Sequence, residues 1–242
     1  MQYNLSDGIA YLTGQLSENA SPPAITTPDG GGKFDHNGEV LPWPGNTFIC
    51  HLNPHRSEHK MLRLIQNQLK AGPQSNAFTF LPPDSFHMTV MEGISGKPES
   101  DPSWPKGSNK NYDLQSATEL IRQRLTGVVV PDSHQIKVID IFAGHSVKVE
   151  GFNEDQERSL RQTRKILRDT SGIEPRAFSA YQFHITLAYL TRWLSTEEAN
   201  SVMELSNTLA DQLRHEVPVI TLGAPEFCEF ESMLHFEKIA QL

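Results

Sequence analysis

Two pentapeptides, FHMTV at residues 86–90 and FHITL at 183–187, each place a histidine and a threonine two positions apart behind a phenylalanine. With 10 histidines and 12 phenylalanines in 242 residues, composition gives about 0.03 chance occurrences of Phe-His-x-Thr, so a pair needs a common cause. Imidazole titrates near neutral pH, and of two histidines facing one another one can accept a proton while the other, protonated, donates one. Cleavage or transfer at a phosphodiester makes that demand. The attacking group loses a proton, the leaving oxygen gains one, and threonine hydroxyls can donate to the non-bridging oxygens where charge collects. His87 and His184 are therefore the candidate acid-base pair, with Thr89 and Thr186 as candidate phosphate ligands. Two imidazoles and two hydroxyls with no acidic residue on the same face make a poor metal set, so no metal or cofactor is expected.

Strands are the elements that position such pairs. Side chains alternate with period 2, so His87 and Thr89 share one face while Phe86, Met88 and Val90 share the other; His184 and Thr186 stand in the same relation to Phe183, Ile185 and Leu187. Each motif strand then has an apolar back and a polar front, and two fronts facing each other make a cleft. Around them, TFICHL at 47–52 predicts a strand, and Ser57 is placed as the cap of a helix carrying Met61, Leu62, Ile65 and Leu69. Asp113 opens a second helix, and QIKVIDIFAGHSVKVEG predicts two strands meeting at a turn on Gly144, closing a first half. In a second half, Asn153 caps a helix ended by Gly172, and Ser195 with Glu198 forms a capping-box pattern before another helix. Two strands around Gly223-Ala224-Pro225 finish the chain. The pattern implies an α+β fold of two similar lobes. Residues 1–45 read as an arm packed on the domain, and 46–242 as one bilobal domain whose lobes are not separable in sequence.

Composition narrows the partners. A formal net charge of −8 argues against long nucleic acid, whose binding depends on Lys and Arg neutralising many phosphates. A small or terminal phosphate remains compatible. No apolar run approaches a membrane span and the start lacks a signal-peptide layout, so a cytoplasmic, membrane-independent protein is expected. Cys50 and Cys228 read as reduced thiols. The basic run with Arg158, Arg161, Arg164, Lys165 and Arg168 reads as a solvated helix face. GGGKF at 30–34 lacks the Ser or Thr and the preceding strand of a phosphate-binding loop.

Two His-x-Thr motifs on equivalent strands, about a hundred residues apart in two α+β lobes, resemble the 2H phosphoesterase superfamily, which includes RNA 2′,3′-cyclic phosphodiesterases and 2′-5′ RNA ligases. The wording KF…PGNTFICHL resembles a bacterial branch of that superfamily. The resemblance spans about residue 46 to the C-terminus. It implies a pseudo-twofold fold with a cleft between two antiparallel sheets, His87 and His184 as the catalytic pair, and Thr89 and Thr186 as the phosphate-holding hydroxyls. The expected activity is metal-independent hydrolysis of a 2′,3′-cyclic phosphate on an RNA end or a small nucleotide. A non-catalytic nucleotide or phosphorylated-metabolite binder, or a 2′-5′ RNA ligase, is the alternative.

Further candidates follow from position. His51 shares a strand face with Thr47 and Ile49 and is a candidate cleft residue, and Trp43 and Trp104, in the two long loops, are candidates to stack on a base. Tyr181 and Tyr189 share the parity of Phe183 and read as back-face core; His145 reads as surface near a turn. The arm and the 93–111 loop are expected to cover or narrow the cleft.

Overall fold

The two motifs form the central strands of one antiparallel sheet. In the computed structural model, which describes residues 5–25, 32–95, 104–108, 112–175 and 178–242, β1 (Gly45–His51), β3 (His87–Ser95), β9 (Glu226–Ser232) and β10 (His235–Gln241) make one half of it. β4 (Ser133–Phe142), β5 (Ser146–Gly151), β6 (His184–Thr186) and β8 (Ile220–Gly223) make the other. The strand order is β10-β9-β1-β3-β6-β5-β4-β8, and the halves join where Met88 of β3 pairs with Ile185 of β6. In each half the motif strand lies at the seam, preceded in the chain by strand then helix. β1–α2–β3 uses α2 (Ser57–Ala71), and β5–α4–β6 uses α4 (Glu154–Ser171). A second, two-stranded sheet pairs β2 (Phe78–Phe80) with β7 (Ala188–Leu190), tying the approach to the first motif to the exit from the second.

The sequence-order halves are not the spatial halves. The β4–β5 pair, assigned above to the first half, lies beside β6 of the second motif, and the C-terminal β9–β10 pair lies beside β1 of the first. Sheet pairing depends on complementary faces far apart in the chain, which local periodicity does not record.

Alternation decides the faces as expected. Phe86, Met88, Val90, Phe183, Ile185 and Leu187 are all at most 1% exposed and belong to one core with Leu62, Ile65, Leu160 and Leu167, whereas the motif histidines and threonines keep partial exposure on the opposite face. Gln66 of α2 reinforces the arrangement by donating to the carbonyls of Leu81 (2.7 Å) and Leu187 (2.9 Å), which pins the end of the second motif.

Helix ends follow side-chain chemistry with one exception. Asp113 accepts from Ser116 N ahead of α3 (Leu114–Arg124), Asn153 accepts from Gln156 N ahead of α4, and Gly172 closes α4 at φ +77°, a conformation glycine takes without strain. Ser57, placed above as a cap, is instead the first helical residue. Arg56 sits at the cap position with no side-chain bond, and the Ser57 hydroxyl donates to Glu58 at 3.0 Å. Ser195 and Glu198 form the full capping box of α5 (Thr196–Glu216). Ser195→Ala is expected to lower stability by about 1 kcal/mol, read as a lower urea midpoint at unchanged slope.

The arm begins with α1 (Leu5–Leu12), which packs on α5. Its later part returns to the sheet's polar face, where Phe34 is fully buried in a cluster with Ile49, Leu81, Met233 and Phe236, and Trp43 N donates to Glu231 O at 2.8 Å. Residues 26–31 of the arm, and 96–103 and 109–111 of the 93–111 loop, lie outside the described residues. Among the described residues no helix is long and apolar enough to cross a membrane.

Candidate active site

The Met88–Ile185 pair sets the geometry of the polar face. In an antiparallel register through that pair, His87 lies across from Thr186 and Thr89 across from His184. Directly opposed side chains stand about 5 Å apart at Cβ and diagonal ones about 7–8 Å. The two histidines are thus diagonal, each beside the other motif's hydroxyl, with a gap between them on the scale of one tetrahedral anion. All four residues line a single cavity of about 380 Å³.

Both rings are held the same way. His87 Nδ1 donates to the Ser85 carbonyl (2.7 Å) and His184 Nδ1 to the Gln182 carbonyl (2.9 Å), in each case two residues back. A carbonyl only accepts, so the proton of the neutral ring is on Nδ1 and Nε2 is left with a free lone pair. Burial pushes both below the ordinary histidine range, His87 to about 4, against the opposing effect of those carbonyls.

The walls are mixed. Phe236 lies 4.3 Å from the His87 ring, centroid to centroid, and contacts Phe230 at 5.2 Å. Trp43 and Lys33 come from the arm, and Glu92, Tyr181 and Tyr189 complete much of the lining. Burial raises the Tyr181 hydroxyl's pKa above the usual phenol value, with Arg164 and Thr89 opposing the shift. Behind it Arg164, 1% exposed, donates to the Val90 carbonyl, stacks 4.0 Å over the Tyr181 ring and pairs with Glu92 at 3.6 Å. Burial raises the Glu92 pKa, and Arg164 opposes that shift.

Several expectations are corrected here. Tyr181 and Tyr189 are cavity residues, not back-face core, because alternation holds only within a continuous strand: Tyr181 precedes β6, and Leu187 separates β6 from β7. His145 is not a surface residue. Its ring packs on Tyr11 and Phe142, its carbonyl accepts from Leu187 N (2.7 Å), and burial depresses its pKa to about 3. Arg164 departs from the solvated basic face, because it falls in the buried stripe of Leu160, Thr163 and Leu167.

The structure brings Trp43 together with the four motif residues, places His51 beside His87 with ring centroids 6.4 Å apart but off the cavity lining, and places Trp104 elsewhere. Trp104 packs partly buried against the main core, with the neighbouring Lys106 N donating to Gly172 O at 2.9 Å. His51 pairs with His87 across β1 and β3, but its ring turns to Glu226, with Nδ1 2.5 Å from the carboxylate. His51, Glu226 and Cys228 have ligand atoms within 4.8 Å of one another, but Lys238 already sits 3.2 Å from Glu226, so the carboxylate's charge is met from within the protein. Lys33 was missed by sequence reasoning, although its place between a glycine run and a buried aromatic was a signal of a fixed cation.

Comparisons with known proteins follow the same line. The solved structure of the conserved protein of unknown function ATU0111 from Agrobacterium tumefaciens str. C58 superposes with a TM-score of 0.87 at 24% identity, covering 96% of this chain and 97% of that one, and shows the same fold. A phosphoesterase structure (TM-score 0.47, 12% identity, 84% of this chain and 98% of that) aligns more loosely. So does Escherichia coli LigT complexed with phosphate (TM-score 0.43, 11% identity, 84% and 98%). Neither of these two is close enough to carry an argument. No curated protein matches the chain. Residues 33–146, which include the first motif and Lys33, match the family described as 2H-phosphodiest, Domain of unknown function (DUF1868).

Proposed function

We propose that the protein is a metal-independent phosphodiesterase that hydrolyses a 2′,3′-cyclic phosphate on a small nucleotide or RNA terminus. The observation that supports this reading most is the shared cavity, in which two histidines of identical tautomer stand diagonal to one another beside two threonines. One histidine takes a proton from water at Nε2 as the water oxygen bonds to phosphorus. The other, protonated, gives its proton to the ribose oxygen as the P–O bond breaks. Thr89 and Thr186 donate to the non-bridging oxygens. The product is a phosphomonoester.

The test is turnover of 2′,3′-cyclic nucleotides by the full chain in the presence of EDTA. Hydrolysis to monophosphates supports the reading. Binding without turnover across a panel of phosphodiesters identifies a nucleotide-binding protein instead, and 2′-5′ joined products from RNA ends identify a ligase.

The pH profile carries a sharper expectation. The active form has one ring protonated and one neutral, so kcat/KM peaks between the two apparent pKa values of the pair. Both rings sit below the ordinary value of 6.5 because burial disfavours their charged forms. The optimum of kcat/KM is therefore expected on the acid side of pH 6.5, and an optimum above pH 7.5 would contradict the assignment.

A further inference from the structure

Among the described residues no carboxylate is paired with Lys33. Its place is fixed by the backbone, since Lys33 N donates to Ala24 O at 2.8 Å and Lys33 O accepts from Leu41 N at 2.9 Å. The fully buried Phe34 follows it. The ammonium reaches the Tyr189 hydroxyl at 3.4 Å and lies 5.0 Å from that ring's centroid, on the lining of the cavity that holds His87, Thr89, His184 and Thr186. Among the described residues no carboxylate lies within 4.0 Å of it, and the carboxylate on the same lining, Glu92, is paired with Arg164.

A partly buried charge is costly unless something pairs with it. A fixed ammonium among neutral imidazoles and hydroxyls leaves one positive charge for an anion from outside. We propose that Lys33 is the charge-bearing phosphate ligand of this site, supplied by the arm, and that it matches the cavity to a phosphodiester monoanion rather than a monoester dianion. The proposal rests on the phosphodiesterase reading and deepens it. Hydrolysis turns a singly charged diester into a monoester that carries close to two negative charges above its second pKa of about 6. At pH 8, where both imidazoles are neutral, Lys33 is the cation on the described lining, and a dianionic product is over-charged for the site.

The same ammonium disfavours protonation of both histidines. The other charged or titratable groups around them are His51 and His184 toward His87, with Glu226 behind His51; Lys148 toward His184, which itself acts on His145; Tyr181, whose ring lies 6.1 Å from that of His184; and Glu92 and Tyr189 on the same lining. Removing Lys33 leaves those groups in place and relieves one repulsion, so both rings become easier to protonate.

The experiment compares wild type, Lys33→Met and Lys33→Arg as full chains, using 2′,3′-cyclic nucleotides and the matching 2′- and 3′-monophosphates. Lys33→Met is expected to weaken cyclic-nucleotide binding about tenfold to a hundredfold and flatten its salt dependence. It should also move the acid limb of kcat/KM to higher pH, while Lys33→Arg keeps most of the affinity. Wild type is expected to bind the cyclic diester more tightly than either monophosphate at pH 8. Unchanged affinity and an unmoved limb in Lys33→Met would overturn the proposal. So would a fall in activity that Lys33→Arg shares with the limb unmoved, which assigns the residue to packing of the arm, and so would monophosphates binding as tightly as the diester. If Lys33→Met does not fold, the salt dependence of wild-type binding decides, and none at all counts against a charged contact. If wild type binds cyclic nucleotides but turns over none, the catalytic reading fails while the binding comparisons still decide the role of Lys33.

Discussion

Replacing His87 or His184 by glutamine is expected to lower turnover of a 2′,3′-cyclic nucleotide about 10²–10⁴-fold, with the fold intact. Glutamine approximates the reach of the ring and can still hydrogen-bond, but it cannot carry a proton between pH 5 and 8. The loss therefore reports proton transfer rather than shape. The two substitutions should cost similar amounts, because each ring has the same carbonyl partner two residues back and the same kind of hydroxyl across the seam. The double variant should be little worse than either single one, since a pair that acts as a unit is lost with its first member. Steady-state kinetics beside a thermal melt check both points. A single variant retaining more than about a tenth of wild-type kcat would remove that histidine from the chemistry.

The largest expected effect on stability belongs to Arg164→Met, about 3–5 kcal/mol measured by urea unfolding. The side chain is 1% exposed, donates to the carbonyl of Val90 at the end of the first motif, and lies between Glu92 and the rings of Tyr181 and Phe178, at 4.0 Å and 4.9 Å. Methionine replaces much of the volume but leaves the Glu92 carboxylate without its cation and a buried carbonyl without its donor. The stranded carbonyl carries most of the cost, since the Glu92 side chain is 44% exposed and keeps part of its hydration. Adding Glu92→Gln to Arg164→Met should recover part of the loss, and a double-mutant cycle on the two positions isolates their coupling. If Arg164→Met costs less than about 1 kcal/mol, the residue is not the support that its burial indicates.

Those two residues mark the limits of what the sequence discloses. The motif faces were legible because period 2 allows one solution: an apolar Phe-Met-Val or Phe-Ile-Leu set must turn inward, leaving His and Thr outward. The caps at Asp113, Asn153 and Ser195 were legible because their chemistry is local. Arg164 was hidden, since a charged residue on a basic helix reads as solvated until partners from β3 and the segment before β6 are known; only its place in the Leu160–Leu167 stripe hinted otherwise. Tyr181 and Tyr189 were hidden because a strand break resets parity. Lys33 was set aside with a failed phosphate-loop pattern, although the pattern's failure said nothing about where an isolated lysine would point. The exchange of strand pairs between the halves was out of reach for a similar reason, because it is decided by pairing between segments distant in the chain, such as Gly45 with Phe230 and Ser146 with Thr186.

The seam at Met88 and Ile185 bears on which bond breaks. A half-turn about that pair exchanges His87 with His184 and Thr89 with Thr186. A phosphorus atom seated on the axis meets equivalent proton carriers on its two sides, so the acid-base pair by itself is indifferent to whether the 2′ or the 3′ oxygen departs. Regiochemistry must then come from whatever breaks the symmetry. Among the described residues, Lys33 and Trp43 from the arm, and Phe230 and Phe236 from the C-terminal strand pair, have no counterparts across the axis on the cavity lining. For the cyclic-phosphate hydrolysis proposed above, the isomer released is expected to follow those walls, and substitutions there are expected to change the product ratio while leaving both histidines in place.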